Sequence, residues 1–85
     1  MYQIEFTETA ETDIRRLDKA VAQRVLKRLR WLAENFDFIT PEVLRGPWEG
    51  VWKFRLGDYR ILYTCDKTER KLIVHFVRHR REVYQ

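Results

Sequence analysis

Four cations in this chain fall where they can act together: Lys53, Arg55 and Arg60 within VWKFRLGDYRILY, and Arg78 at the head of the closing run RHRREVYQ. Gly57 and Asp58 separate two alternating apolar runs, as a two-residue hairpin loop requires, and glycine in the first position suits a type II′ turn. In that register Arg55 faces Arg60, Lys53 faces Leu62 and Trp52 faces Tyr63. Trp52, Phe54, Leu56, Tyr59, Ile61 and Tyr63 then share one face, and Lys53, Arg55 and Arg60 share the other. Like charges set directly opposite on a ladder cost up to about 1 kcal/mol. A single arginine on a solvated sheet face is ordinary. Three cations on one short hairpin point to an anionic ligand, most economically a phosphodiester backbone, whose oxygens suit the planar guanidinium fork.

Arg78 ends the last apolar run, but its face depends on the loop after Cys65 and is left open by the pattern. Val83 and Tyr84 can return the chain to the sheet as one helical turn, bringing Tyr84 towards the cationic face. Among the tryptophans, parity assigns Trp52 to the core and Trp31 to a helix edge, and leaves Trp48 in RGPWEG open as a stacking platform. His75, inside an apolar strand, reads as a hydrogen-bonded core residue. Asp58 belongs to the turn. The sequence has one cysteine, Cys65, and two histidines, so neither an internal disulfide nor a structural zinc site is expected. No carboxylate pair, nucleophile triad or metal-ligand cluster competes with the cations.

The elements that must carry these residues read as follows. YQIEF at 2–6 alternates as a half-buried strand. TETAETDIRRL places Ala10, Ile14 and Leu17 at helical spacing over about 8–17, with Thr7 as N-cap. Asp18 caps a second, longer helix whose stripe is Val21, Val25, Leu29, Leu32 and Phe36, widened by Ala22, Leu26 and Ala33. The absence of a loop between the two predicts an antiparallel helical hairpin. From Asn35 to Gly50 the period stops, and Pro41, Gly46, Pro47 and Gly50 mark a connection. After the hairpin and a DKTER turn, KLIVHFV at 71–77 completes a three-stranded antiparallel meander. The expectation is a single α+β domain of two layers over residues 1–85, with helices on the apolar sheet face and the cations on the bare one.

Composition agrees. Hydrophobic residues are 45% of the 85 and aromatics 14%, too many for a disordered chain. The net charge of +4 is uneven: residues 1–42 carry seven Lys/Arg against eight Asp/Glu, and residues 43–85 ten against five. No apolar run approaches membrane-spanning length and no signal pattern is present, so the expected compartment is the cytoplasm, with no membrane partner.

Strand, helical hairpin and meander, a glycine-bearing loop before VWKFRLGDYRILY, and the terminal RHRREVY together resemble the RelE/ParE superfamily of bacterial toxins, the RelE-like branch being the closer match. The likeness covers essentially the whole chain. It implies a RelE-like microbial RNase fold and an mRNA interferase, a toxin that enters the ribosomal A site and cuts the messenger without metal or other cofactor. A cognate RelB-like antitoxin would neutralise it in a hetero-oligomer, over the helical hairpin and the polar sheet edge. The family's working residues map onto Lys53, Arg55, Arg60, Arg78 and Tyr84, with Arg80 and Arg81 as further RNA contacts.

RNA cuts itself when a 2′-hydroxyl attacks the adjacent phosphate, which needs a base, charge stabilisation and an acid. Arg60 and Arg78 suit stabilisation of the phosphorane. Lys53 is the titratable cation of the hairpin, and its arginine neighbours favour the neutral, proton-accepting form. Arg55 serves as a phosphate ligand or proton relay. Tyr84 could orient the 2′-hydroxyl, transfer a proton or stack on a base, and His79 is the second acid/base candidate. Two other readings stay open: a ParE-like inhibitor of DNA gyrase, and a non-catalytic nucleic-acid-binding module.

Overall fold

In a computed structural model, residues 1–44 and 50–83 are described. They form β1 (Gln3–Phe6), α1 (Glu8–Arg16), α2 (Lys19–Asn35), a 3-10 turn (Phe36–Phe38), β2 (Glu42–Val43), β3 (Trp52–Leu56), β4 (Tyr59–Asp66), β5 (Lys71–His79) and α3 (Arg80–Val83). The five strands make one sheet in the order β1-β5-β4-β3-β2. β1 runs parallel to β5 and the other neighbours are antiparallel.

α1 starts where expected because Thr7 Oγ1 accepts the Ala10 N–H at 3.1 Å. The same hydroxyl donates to the His75 carbonyl at 3.3 Å, which ties the helix start to β5. Leu17 and Asp18 separate the helices. Asp18 occupies the N-cap of α2 but makes no side-chain cap bond; its carbonyl accepts the Ala22 N–H at 2.8 Å. The apolar stripe of α2 is buried at Val25, Leu29, Leu32 and Ala33 and continues into Phe36. It packs with Tyr2, Ala10 and one sheet face, Ile61, Tyr63, Leu72, Val74 and Val77. Leu26, expected to widen the stripe, is instead 46% exposed. No helix among the described residues is long and apolar enough to cross a membrane.

Two expectations change. The stretch read as a plain connection from Asn35 contains the 3-10 turn and the edge strand β2, which pairs Glu42 with Lys53 and Val43 with Trp52. Two residues are too few to show alternation, so this fifth strand left no pattern. His75 is the other case. Leu62 pairs with Phe76 while Tyr63 pairs with Val74, so His75 is the extra residue of a β-bulge. It is half-buried, and its Nε2 lies 2.9 Å from Thr64 Oγ1 rather than in the apolar core.

Candidate functional site

The hairpin has the anticipated register, Arg55 opposite Arg60 and Lys53 opposite Leu62. Gly57 alone of the two loop residues has positive φ, 56°, as a type II′ turn needs. The bulge at His75 then decides the face of Arg78. Below the bulge, Asp66 pairs with Lys71 and Tyr63 with Val74; continued unbroken, that register would put Val77 opposite Arg60. The extra residue shifts it by one, so Arg78 faces Arg60 and Val77 turns into the core. Residues directly opposite on neighbouring strands point to the same side. Arg55, Arg60 and Arg78 therefore form one row across β3, β4 and β5 on the sheet face away from α2, with Lys53, Leu62 and Phe76 as the adjacent row.

Three arginines in line should repel, and two of them are braced, each differently. Arg60 is only 6% exposed. Its Nη1 turns back to donate to the carbonyls of Gly57 and Tyr59, at 3.1 and 3.2 Å. Arg78 lies with its guanidinium carbon 4.5 Å from the centre of the Phe76 ring, and its Nε–H donates to Asp13 Oδ2 at 3.3 Å. Lys53 Nζ is 3.5 Å from Glu42 Oε1 across the β2–β3 pair. Arg55 is exposed and, among the described residues, has no ion pair. Charge repulsion is thus relieved by carbonyls, a ring and two carboxylates rather than by dispersal into water alone.

The other candidates are distributed unevenly. His79 pairs with Tyr59, meets its ring edge-on at 5.5 Å and accepts the Arg81 N–H through Nδ1 at 3.3 Å. Strand parity puts it on the helix-side face, across the sheet from the arginine row. Arg80 and Arg81 are exposed on α3, whose first N–H donates to the Asp58 carbonyl at 2.7 Å and so anchors the helix to the hairpin turn. Tyr84 and Trp48 lie outside the described residues. Trp52 packs against the core as parity required, and Trp31 is a partly exposed helix-edge residue stacked on Phe54 at 6.2 Å. Among the described residues no group of three or more His, Cys, Asp or Glu is placed to hold a metal ion.

Two residues at the site went unpredicted. Glu42 had no detectable signal, because its strand is two residues long. Asp13 did have one: it stands at the i+3 position from Ala10, inside the apolar stripe with Ile14 and Leu17, and a carboxylate there needs a buried partner. It is 8% exposed and accepts from both the Val77 N–H, at 3.1 Å, and Arg78.

The fold and sequence have relatives. The Toxin RelE of Mycobacterium tuberculosis is 30% identical over 78 residues, which are 91% of this chain and 80% of that protein. A crystallised RelBE toxin–antitoxin complex from Mycobacterium tuberculosis contains a chain with TM-score 0.82 and 26% identity, over 92% of this chain and 96% of that one. The isolated RelE toxin of E. coli superposes with TM-score 0.77 and 25% identity, over 99% of this chain and 92% of that one. The family model for the ParE toxin of the type II toxin–antitoxin system parDE matches residues 4–84, nearly the whole length and both walls of the arginine row. With a RelE-like sheet carrying that row, the chain belongs to the ParE toxin family of type II toxin–antitoxin systems, within the RelE/ParE superfamily.

Proposed function

We propose that this toxin is a ribosome-dependent endoribonuclease that cuts messenger RNA in the A site and thereby stops translation in the cytoplasm. The observation that carries the reading is the row Arg55–Arg60–Arg78, in register across three strands on the sheet face opposite the hydrophobic core. Cationic groups in line on a flat face suit a single phosphodiester strand laid across the sheet. In the reaction the 2′-oxygen bonds to phosphorus, its proton passes to a base, and the phosphorus–O5′ bond breaks with a proton delivered to the leaving oxygen. The products are a 2′,3′-cyclic phosphate and a 5′-hydroxyl.

Arg55 and Arg78 present guanidinium groups to the phosphorane, while Arg60, buried behind them, adds fixed positive charge and holds the turn in place. These permanent charges do the work a metal ion would otherwise do. Lys53, next to the row, is assigned the proton-accepting role, for which its amine must leave the Glu42 pair. Tyr84, from the family pattern, is the candidate for the acid; His79, paired with Tyr59, is on the other face of the sheet from the arginines and does not fit that role. A sparse acid/base set of this kind suits a site completed by ribosomal RNA. The toxin's partner is a cognate RelB-like antitoxin, in keeping with the toxin–antitoxin complexes among its structural relatives.

A second reading has one observation in its favour: the matching family model is that of the ParE toxin. On that reading the chain inhibits DNA gyrase and the cationic face binds without cutting. One experiment separates the two. A defined message is translated with purified components and toxin, its 5′ ends are mapped, and gyrase supercoiling is assayed in parallel. Codon-phased cuts that require ribosomes support the nuclease; an intact message with arrested supercoiling supports the gyrase reading and overturns the first.

A further inference from the structure

We propose that Asp13 is a positioning residue, holding the Arg78 guanidinium so that its terminal nitrogens face the scissile phosphate; this rests on the ribonuclease reading above. β1 stops at Phe6, opposite Val74, so β5 runs on beyond it without a strand neighbour on that side. α1 fills the gap and packs along β5. Thr7 there takes up the His75 carbonyl, and Asp13 Oδ2 takes up the Val77 N–H at 3.1 Å. A neutral asparagine would satisfy that edge amide equally well. The buried carboxylate has a second use: the same oxygen accepts Arg78 Nε–H at 3.3 Å.

With Nε held by Asp13 and the guanidinium carbon over Phe76 at 4.5 Å, the plane of Arg78 is fixed at two points. Among the described residues neither terminal nitrogen of Arg78 meets a protein acceptor, and its side chain is 37% exposed. It borders a concavity of about 270 Å³ lined by Glu8, Thr9, Thr12, Asp13, Arg16 and Arg78, so the guanidinium is open to solvent on that side. Arg60 differs, since its Nη1 is already committed to two carbonyls. Asp13 itself would repel a phosphate, so its contribution is orientation and not contact: a planar donor set in advance loses less freedom on meeting the transition state.

The test is single-turnover cleavage on programmed ribosomes by wild type, Asp13→Asn, Arg78→Ala and the double variant, with melting temperature measured alongside. Asp13→Asn keeps the acceptor for Val77 and removes the charge that holds Arg78. It is expected to lower the maximal single-turnover rate by at least about tenfold with the half-saturating concentration little changed. In the Arg78→Ala background it should have no further effect, because the two act as a unit. A wild-type rate in Asp13→Asn, or effects that multiply in the double variant, would overturn the inference while the ribonuclease reading stands. A wild-type protein that leaves the message intact overturns that reading and this inference with it. Should Asp13→Asn not fold, the wild type still decides: the Arg78 Nε–H signal in NMR should exchange with water more slowly than that of exposed Arg55, and equal exchange overturns the inference.

Discussion

Arg60 and Arg78 face each other across β4 and β5, and their supports assign them different sensitivities. Arg78 is held from its sides by Asp13 and Phe76, and no backbone acceptor depends on it. Arg78→Ala should abolish toxicity in growing cells and also lower the melting temperature, because the buried Asp13 carboxylate then keeps the Val77 N–H but loses its cationic partner. Arg60→Ala should be toxic no longer but also less stable by about 1–2 kcal/mol, since two turn carbonyls lose a charged donor. Thermal melts of each variant against wild type test both supports, and a wild-type melting temperature in Arg60→Ala would mean that the Arg60 bonds carry no weight. Lys53 is paired with Glu42 where both are partly open to water, a pair worth at most about 1 kcal/mol. Lys53→Ala should thus fold normally and lose cleavage, and a rate equal to wild type would remove Lys53 from the proton-transfer role.

Among the elements, the hairpin and the long helix were legible and the bulge was not. Alternation on either side of Gly57-Asp58 leaves one register open to the strands, and a slip by one residue would turn every aromatic outward. The helical stripe was equally plain, except at Leu26, which lies at the margin of the buried arc. The bulge is different. His75 interrupts an apolar run but gives no sign that it is an extra residue, yet that one insertion brings Arg78 to the arginine row in place of Val77. The face of Arg78 was unreadable for that reason. β2 was missed because two residues have no period, and Glu42 with it; Asp13 was readable, as an acid in an apolar stripe. Two variants test this level. Gly57→Ala meets no atom within 4 Å, so its cost is the left-handed backbone alone, about 1–2 kcal/mol. Thr64→Val removes the hydroxyl that holds His75 and should lower both stability and cleavage; unchanged cleavage would show that the bulge keeps its register without it.

At the scale of the molecule, one sheet face is spent on the core and the other is left to the cations. That division also sets the response to alkali. Burial pushes the Tyr63 phenol up, and burial likewise raises the Cys65 thiol. A group whose pKa is raised by folding gives stability that is complete below its unfolded value and is lost as pH rises through the folded one. For these two groups the decline should begin at roughly pH 8.5–10. Tyr63→Phe should flatten its upper part in melts run from pH 8 to 11, and an unchanged slope would mean that the phenol does not contribute. On the opposite face the account depends first on the arginine row. The most direct measurement is the single-turnover rate of message cleavage in the A site of programmed ribosomes, wild type against Arg78→Ala, with product ends identified. The account predicts cyclic-phosphate and 5′-hydroxyl ends from the wild type, and a rate lower by about a hundredfold or more in the variant. Equal rates, or no cleavage by the wild type at all, would contradict it.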